Sequence, residues 1–133
     1  MNTLKHNLAI HLSVGIFLYL LFSSLDVFFT LRGVNGDISM EGNPAIRYMM
    51  FYFGLSGGLI LQKVIVLLVS LVVAIIAVTG IDKESDWVYY LAFTHKTRDW
   101  MKRKKRYYVA FFPLYFVALS QGLAAAAWIC LII

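Results

Sequence analysis

Residues 59–79 read LILQKVIVLLVSLVVAIIAVT, an apolar stretch interrupted by one charged side chain, Lys63. As an α-helix, a stretch of this length crosses a bilayer core of about 30 Å. It lacks the strict alternation of apolar and polar residues that marks the strands of a membrane β-barrel. The stretch therefore predicts a membrane-spanning helix.

Two further apolar stretches, residues 8–31 and 107–133, are also long enough to span a bilayer. Of the 133 residues, 61% are hydrophobic and only 14% are charged, which is too apolar for a soluble domain of this size. We expect one all-α membrane domain over residues 1–133 with three transmembrane helices. The first stretch resembles a signal peptide, with Lys5 before it, but its length, Asp26 and the lack of a small-x-small cleavage site favour a retained span.

The polar residues 32–43 end in Asn43-Pro44. Asn is a good N-cap and Pro is favoured at the first helical position, so a helix is predicted from Pro44. Its mixed character over 44–53 predicts an interfacial helix. Glycines then weaken or kink the chain, or let helices pack closely; they are Gly54, Gly57 and Gly58. One long tilted helix through residue 79 is the alternative.

Residues 80–106 form a predicted amphipathic basic loop that begins at Gly80, a plausible helix stop. The loop contains eight Lys and Arg side chains among Trp and Tyr. The positive-inside rule places the loop and the N-terminus in the cytoplasm and the C-terminus outside. The run Lys102, Arg103, Lys104, Lys105 and Arg106 is expected to contact anionic lipid head groups or to anchor the topology. Since the charge lies between apolar stretches, nucleic acid is not an expected partner.

Two charges fall inside the spans at similar depth below the outer membrane surface: Asp26 in the first and Lys63 in the second. Burying either alone is costly, so we predict an Asp26–Lys63 contact between adjacent helices. Thr30 shares the face of Asp26, and Glu41 and Asn43 are expected to fold over the same end. Such a cluster either locks the first two spans together or forms a proton, ion or ligand site.

These residues also carry a resemblance. Asp26-x-x-x-Thr30, Glu41-x-Asn43-Pro44 and the following Lys63 resemble an uncharacterised family of small prokaryotic membrane proteins over residues 8–80. The resemblance implies a prokaryotic plasma membrane location and singles out the same polar cluster. It implies no reaction.

Catalytic and metal motifs are weak. Gly54-Leu55-Ser56-Gly57 matches the Gly-x-Ser-Gly of rhomboid proteases, but no histidine is expected at the depth of Ser56. His95 and Asp99 are too few for a closed metal site. His11 is expected to be a satisfied interfacial side chain, and Cys130 a lipid- or helix-facing one. We predict no catalytic residue, no metal and no cofactor.

In the third span, Gln121 and Gly122 predict a packing face toward another helix or another subunit. Three spans enclose little space for a pathway or an active site. The sequence therefore favours a non-catalytic subunit that stabilises a larger membrane complex, such as a respiratory or monooxygenase-type assembly, or that self-associates. The alternative is a small transporter or proton- or ion-translocating component using Asp26, Lys63 and Glu41.

Overall fold

The computed structural model describes residues 2–82 and 107–132, and almost all of these are helical, with no strand among them. The α-helices are α1 (Asn2–Val34), α2 (Pro44–Phe53), α3 (Leu55–Asp82) and α4 (Tyr107–Ile132), with a short 3-10 helix at Ile38–Met40 between α1 and α2. Three of them, α1, α3 and α4, are long and apolar enough to cross a membrane. The predicted helical class and its three apolar helices are therefore confirmed.

Helices α1 and α3 extend beyond the predicted stretches, whereas α4 coincides with its predicted stretch. Helix α1 continues to Val34, where Asn35 and then Gly36 adopt the left-handed conformation, which Gly and Asn tolerate best. Helix α3 begins at Leu55 and runs through Gly80 to Asp82, so the predicted stop at Gly80 is wrong. Glycine ends a helix only where the backbone turns left-handed; inside a helix it costs about 1 kcal/mol, which a long helix tolerates.

Helix α2 begins where the sequence predicts. The Asn43 side-chain oxygen accepts a hydrogen bond from the backbone N–H of Ala45 at 3.0 Å, and Pro44 is the first helical residue. This cap satisfies one of the donors that every helix leaves free at its N-terminus.

Gly54 separates α2 from α3, which excludes one continuous helix from Pro44. Its φ of +77° lies in a region that only glycine adopts without strain. The chain folds back at this point, and Gly58 packs directly against the backbone of Met49 and Met50. Gly58 leaves the space that lets α2 lie on the start of α3.

Helices α1 and α4 run parallel, as the pairing of Gly15 with Leu114 and of Gly33 with Trp128 requires. Helix α3 follows α1 after the 3-10 helix and α2, and because successive spans alternate in direction it runs antiparallel to both α1 and α4. Helix α4 packs along α1 and, less extensively, along α3, whereas α1 and α3 touch each other least. Buried alanines allow close helix approach; they are Ala74, Ala77, Ala118 and Ala125.

Candidate functional site: a buried polar cluster between three helices

The inward face of α1 is unusually polar for a membrane helix. Its buried residues recur every three or four positions, so that they form one stripe; they are Gly15, Tyr19, Ser23, Asp26, Thr30 and Val34. Three hydroxyls and a carboxylate therefore point into the bundle rather than toward lipid.

Asp26 meets Lys63 at this face. The Lys63 ammonium nitrogen lies 2.5 Å from Asp26 Oδ2, and the two side chains are 9% and 5% exposed. Thr30 donates to the other carboxylate oxygen over a longer 3.4 Å. The predicted contact between Asp26 and Lys63 is thus present, and each charge has a partner in surroundings where an unpaired charge is costly.

Gln121 of α4 completes the cluster. Its side-chain oxygen Oε1 accepts a second hydrogen bond from the Lys63 ammonium at 2.5 Å. The sequence predicts Gln121 only as a packing residue able to bridge helices, and the structure turns it inward, onto the lysine. One ammonium therefore joins α1, α3 and α4.

Tyr19 adds a further hydrogen bond between α1 and α3 that the sequence does not indicate. It is fully buried, and its hydroxyl donates to the backbone carbonyl oxygen of Lys63 at 2.7 Å. One α1 side chain thus fixes the α3 backbone at the residue whose side chain Asp26 binds.

Glu41 and Asn43 are engaged elsewhere, at the start of α2. The Glu41 carboxylate accepts from the Asn43 backbone N–H at 2.8 Å, and the Glu41 carbonyl oxygen accepts from the Arg47 guanidinium. Glu41 is buried, whereas Asn43 is exposed. Local hydrogen bonds within the turn therefore engage both residues.

The cluster lies deeper than the sequence predicts. Asp26 is eight residues from the last residue of α1, and Lys63 is eight residues from the first residue of α3. At 1.5 Å per residue, both lie about 12 Å below the helix ends. Because both helices are longer at this end, the two depths remain matched.

The predicted packing glycines have different roles. Gly122 contacts the Phe22 ring, and Gly58 contacts the α2 backbone, so both are close-approach sites. Gly57 has ordinary spacing to Phe53, and a Cβ at Gly54 would meet nothing. A further close approach, Gly33 against the Trp128 ring, falls in the stretch that the sequence marks only as polar.

A groove with a volume of about 380 Å³ opens between α1 and α3. Its apolar walls come from both helices, and its polar lining includes the lysine of the cluster. The lining residues are Tyr19, Leu20, Ser23, Ser24, Val27, Ile60, Lys63, Val64 and Leu67. The cluster therefore borders a space that opens on the side of the bundle.

Helix α2 presents an exposed aromatic face. Tyr48, Phe51, Tyr52 and Phe53 are each at least 60% exposed, and Tyr52 contacts the rings of both Tyr48 and Phe51. On the opposite side, Met50 is fully buried.

The other candidate residues lie apart from the cluster. His11 stacks on Phe111 and its Nδ1 lies 3.0 Å from the Tyr115 hydroxyl oxygen, toward the N-terminal ends of α1 and α4. Ser56 is exposed in the first turn of α3, at the other end of the bundle. Cys130 is exposed. Among the described side chains, no group of three metal-ligating residues occurs.

The basic loop over residues 80–106 falls almost wholly outside the described residues, which stop at Asp82 and resume at Tyr107. The predicted lipid head-group residues lie in that part of the chain, as do His95 and Asp99. The lipid head-group residues are Lys102, Arg103, Lys104, Lys105 and Arg106.

Three long apolar helices joined by a buried lysine–carboxylate–amide cluster define an integral membrane protein of the small helical-bundle class. Residues 16–97, more than half of the chain, match the family described as domain of unknown function (DUF5658). The chain belongs to this family, whose matched region contains Asp26 and Lys63. A search of curated proteins and a search of solved structures each returned no match.

Proposed function

We propose that this chain is a non-catalytic membrane subunit that packs against a larger membrane protein complex. The main observation in support of this role is that Lys63 binds Asp26 of α1 and Gln121 of α4 inside the bundle. Polar side chains that bond across helices hold membrane helices together. The buried charges therefore hold the three long helices together and are not needed for contacts outside the bundle. The outer surface of the bundle is left for contacts with a partner.

The exposed aromatic face of α2 supports a contact surface near the membrane boundary. Aromatic side chains are enriched both at membrane–water interfaces and in the buried cores of protein interfaces. The Arg32 guanidinium, at the end of α1, lies 4.6 Å from the Phe28 ring centroid. Arg beside an aromatic ring is also typical of the membrane–water interface. We place α2 as an interfacial helix against which a partner subunit docks.

Isolation from native membranes in mild detergent, followed by mass spectrometry of the intact complex, tests this proposal. The wild-type chain should be recovered with a fixed partner at fixed stoichiometry. Replacing Tyr48 and Phe51 by Ala should release that partner. The matched control replaces Phe112 and Phe116, an equally exposed aromatic pair on α4, and should retain it. Recovery of the wild-type chain alone would refute the subunit role.

We further propose that the N-terminus and residues 80–106 lie in the cytoplasm of a prokaryotic cell, that the C-terminus lies outside, and that Lys102 to Arg106 bind anionic lipid. In a Cys130→Ser background, Ser39→Cys should react with an impermeant maleimide in intact cells. Ser85→Cys should react only after permeabilisation. The reverse pattern would invert the topology.

A translocating component is the second candidate. The polar stripe on α1 favours it, because ionisable groups inside a membrane often mark ion or proton paths. Liposomes containing the purified chain and a pH-sensitive dye test this reading. Proton flux that disappears in the Asp26→Asn, Lys63→Met double variant would establish it. Absence of flux with intact partner binding favours the subunit role.

A further inference from the structure

The groove between α1 and α3 combines apolar walls with a polar end, and we propose that it binds a neutral amphiphile from the bilayer. The ligand class is a long-chain molecule whose head carries a hydroxyl or carbonyl oxygen, such as a fatty alcohol or a monoacylglycerol. The inference goes beyond a packing role and does not depend on a partner subunit.

The size and lining of the groove fit such a ligand. Its volume of about 380 Å³ falls in the range of ligand sites, which are mostly apolar with a few converging polar groups. The groove exists because α1 and α3 touch each other least of the three long helices. Leu20, Val64 and Leu67 provide an apolar wall on the side of the cluster nearer the bilayer centre.

Hydrogen-bond donors remain at the polar end. A lysine ammonium has three N–H donors, and Lys63 uses two of them, on Asp26 and Gln121. Ser23 is 5% exposed and lies near the Tyr19 hydroxyl, yet its own oxygen makes no hydrogen bond of good geometry within the described chain. Both Lys63 and Ser23 line the groove. The Ser23 oxygen is itself shielded from solvent, so the third N–H of the Lys63 ammonium is the donor that an oxygen acceptor in the groove satisfies.

The charge balance selects a neutral head group. Asp26 lies 2.5 Å from the Lys63 ammonium, so the pair carries no net charge. An anionic head gains attraction from Lys63 but meets repulsion from Asp26, and a cationic head meets the reverse. A neutral oxygen accepts from the ammonium without disturbing the ion pair.

The depth of the cluster also favours a neutral head group. It lies about 12 Å below the helix ends, where transferring a charged head group from water is costly. A hydroxyl or ester carbonyl loses far less hydration and recovers a hydrogen bond there.

Photolabelling of the full chain in phosphatidylcholine vesicles tests the site. The probe is a long-chain fatty alcohol with a diazirine in its chain, present at a few mole per cent. We expect labels within residues 20–27 and 60–67 that unlabelled fatty alcohol displaces. Val64→Trp, which fills the groove, should lower this labelling at least about fivefold. Ile75→Trp, on the exposed surface of α3 outside the groove, should leave it unchanged.

Three results would overturn binding in the groove, and a fourth would overturn its preference for a neutral head group. The first is uniform labelling of all lipid-exposed helix surfaces that unlabelled alcohol does not displace. The second is unchanged groove labelling in both Val64→Trp and Ile60→Trp. The third is disulfide-linked dimers of Leu20→Cys, in a Cys130→Ser background, that exclude the probe, because a second copy would then occupy the groove. Equal labelling by a diazirine fatty amine would also exclude selection of a neutral head group.

Discussion

Lys63 of α3 and Asp26 of α1 form an ion pair at 2.5 Å although 37 residues separate them in the chain. Lipid is as apolar as the helix surfaces, so no hydrophobic driving force pairs helices inside a bilayer. Specific polar contacts and close packing must select the arrangement instead. The ion pair supplies such a contact at a defined depth, and Gln121 extends it to the third long helix.

Removing one charge of this pair should destabilise the bundle more than removing both. Asp26→Leu leaves the Lys63 ammonium buried without its counter-ion, a loss of about 3–5 kcal/mol in other proteins. The Asp26→Leu, Lys63→Met double variant removes the orphaned charge, so the effects of the two single variants should not add. Unfolding free energies in mixed micelles, measured by titration with SDS, determine the coupling.

Asp37→Asn is the control for this double-mutant cycle of Asp26 and Lys63. Asp37 is fully exposed and accepts a hydrogen bond from the Ser39 backbone N–H at 2.9 Å, which Asn can also accept. It should change the unfolding free energy little. Additive effects of Asp26→Leu and Lys63→Met, within about 0.5 kcal/mol, would show that the pair contributes no coupling.

A carboxylate placed at Gln121 should replace the one lost at Asp26. Gln121→Leu removes an acceptor of the Lys63 ammonium and should cost about 1–3 kcal/mol. In an Asp26→Asn background, Gln121→Glu restores a counter-ion at the same ammonium and should recover stability in the same titration. Gln62→Glu, which adds a carboxylate on α3 beside the lysine in sequence, should not recover it. Equal recovery by both would indicate a general charge effect.

Gly58 and its neighbour Gly57 should respond differently to replacement by alanine. A Cβ at Gly58 collides with the backbone of Met49 and Met50, which cannot move without moving α2, whereas a Cβ at Gly57 has ordinary contacts. Gly58→Ala should cost about 1–3 kcal/mol and expose the start of α3. Gly57→Ala should be neutral or stabilise by up to about 1 kcal/mol through helix propensity.

Cysteine accessibility measures whether Gly58→Ala moves α2 away from α3. With Cys130→Ser and Met50→Cys, maleimide should react slowly, because Met50 is fully buried. Adding Gly58→Ala should accelerate the reaction, and adding Gly57→Ala should not. Equal rates in the two variants would contradict the close approach of α2 to α3.

Gly33→Ala should separate the C-terminal ends of α1 and α4, because its Cβ falls on the Trp128 ring. Adding Trp128→Ala removes the obstacle, so the double variant should be more stable than Gly33→Ala alone in the SDS titration. Gly42→Ala is the control, since a Cβ there meets nothing within 4 Å. A Gly33→Ala variant as stable as wild type would show that the indole ring moves away without cost.

Much of the local structure follows from the sequence. The length of the apolar stretches determines the long helices, because every backbone polar group in a bilayer must bond within its own helix. The Asn43-Pro44 dipeptide fixes the start of α2 through a cap that involves only its neighbours. The match in depth between Asp26 and Lys63 predicts their contact, since depth follows from position along a helix.

The sequence did not predict how each long helix is rotated about its axis, and therefore which of its side chains face the other helices. The strongly apolar α4 gives no polar face from which to tell that Gln121 points at Lys63, 58 residues away. Likewise, nothing near Gly33 in the sequence indicates Trp128. Conversely, Glu41 and Asn43 lie close enough to α2 for local hydrogen bonds, and these engage both residues.

The sequence by itself therefore determined that this is a helical membrane protein with a charge pair at matched depth. These properties depend on distance along the chain and on the cost of burying charge. Only the tertiary structure decided that Lys63 has Gln121 as a second acceptor, that Tyr19 binds its backbone, and that a groove opens beside it. These features depend on which helix faces meet, and in a lipid environment packing and hydrogen-bond geometry select those faces, not hydrophobicity.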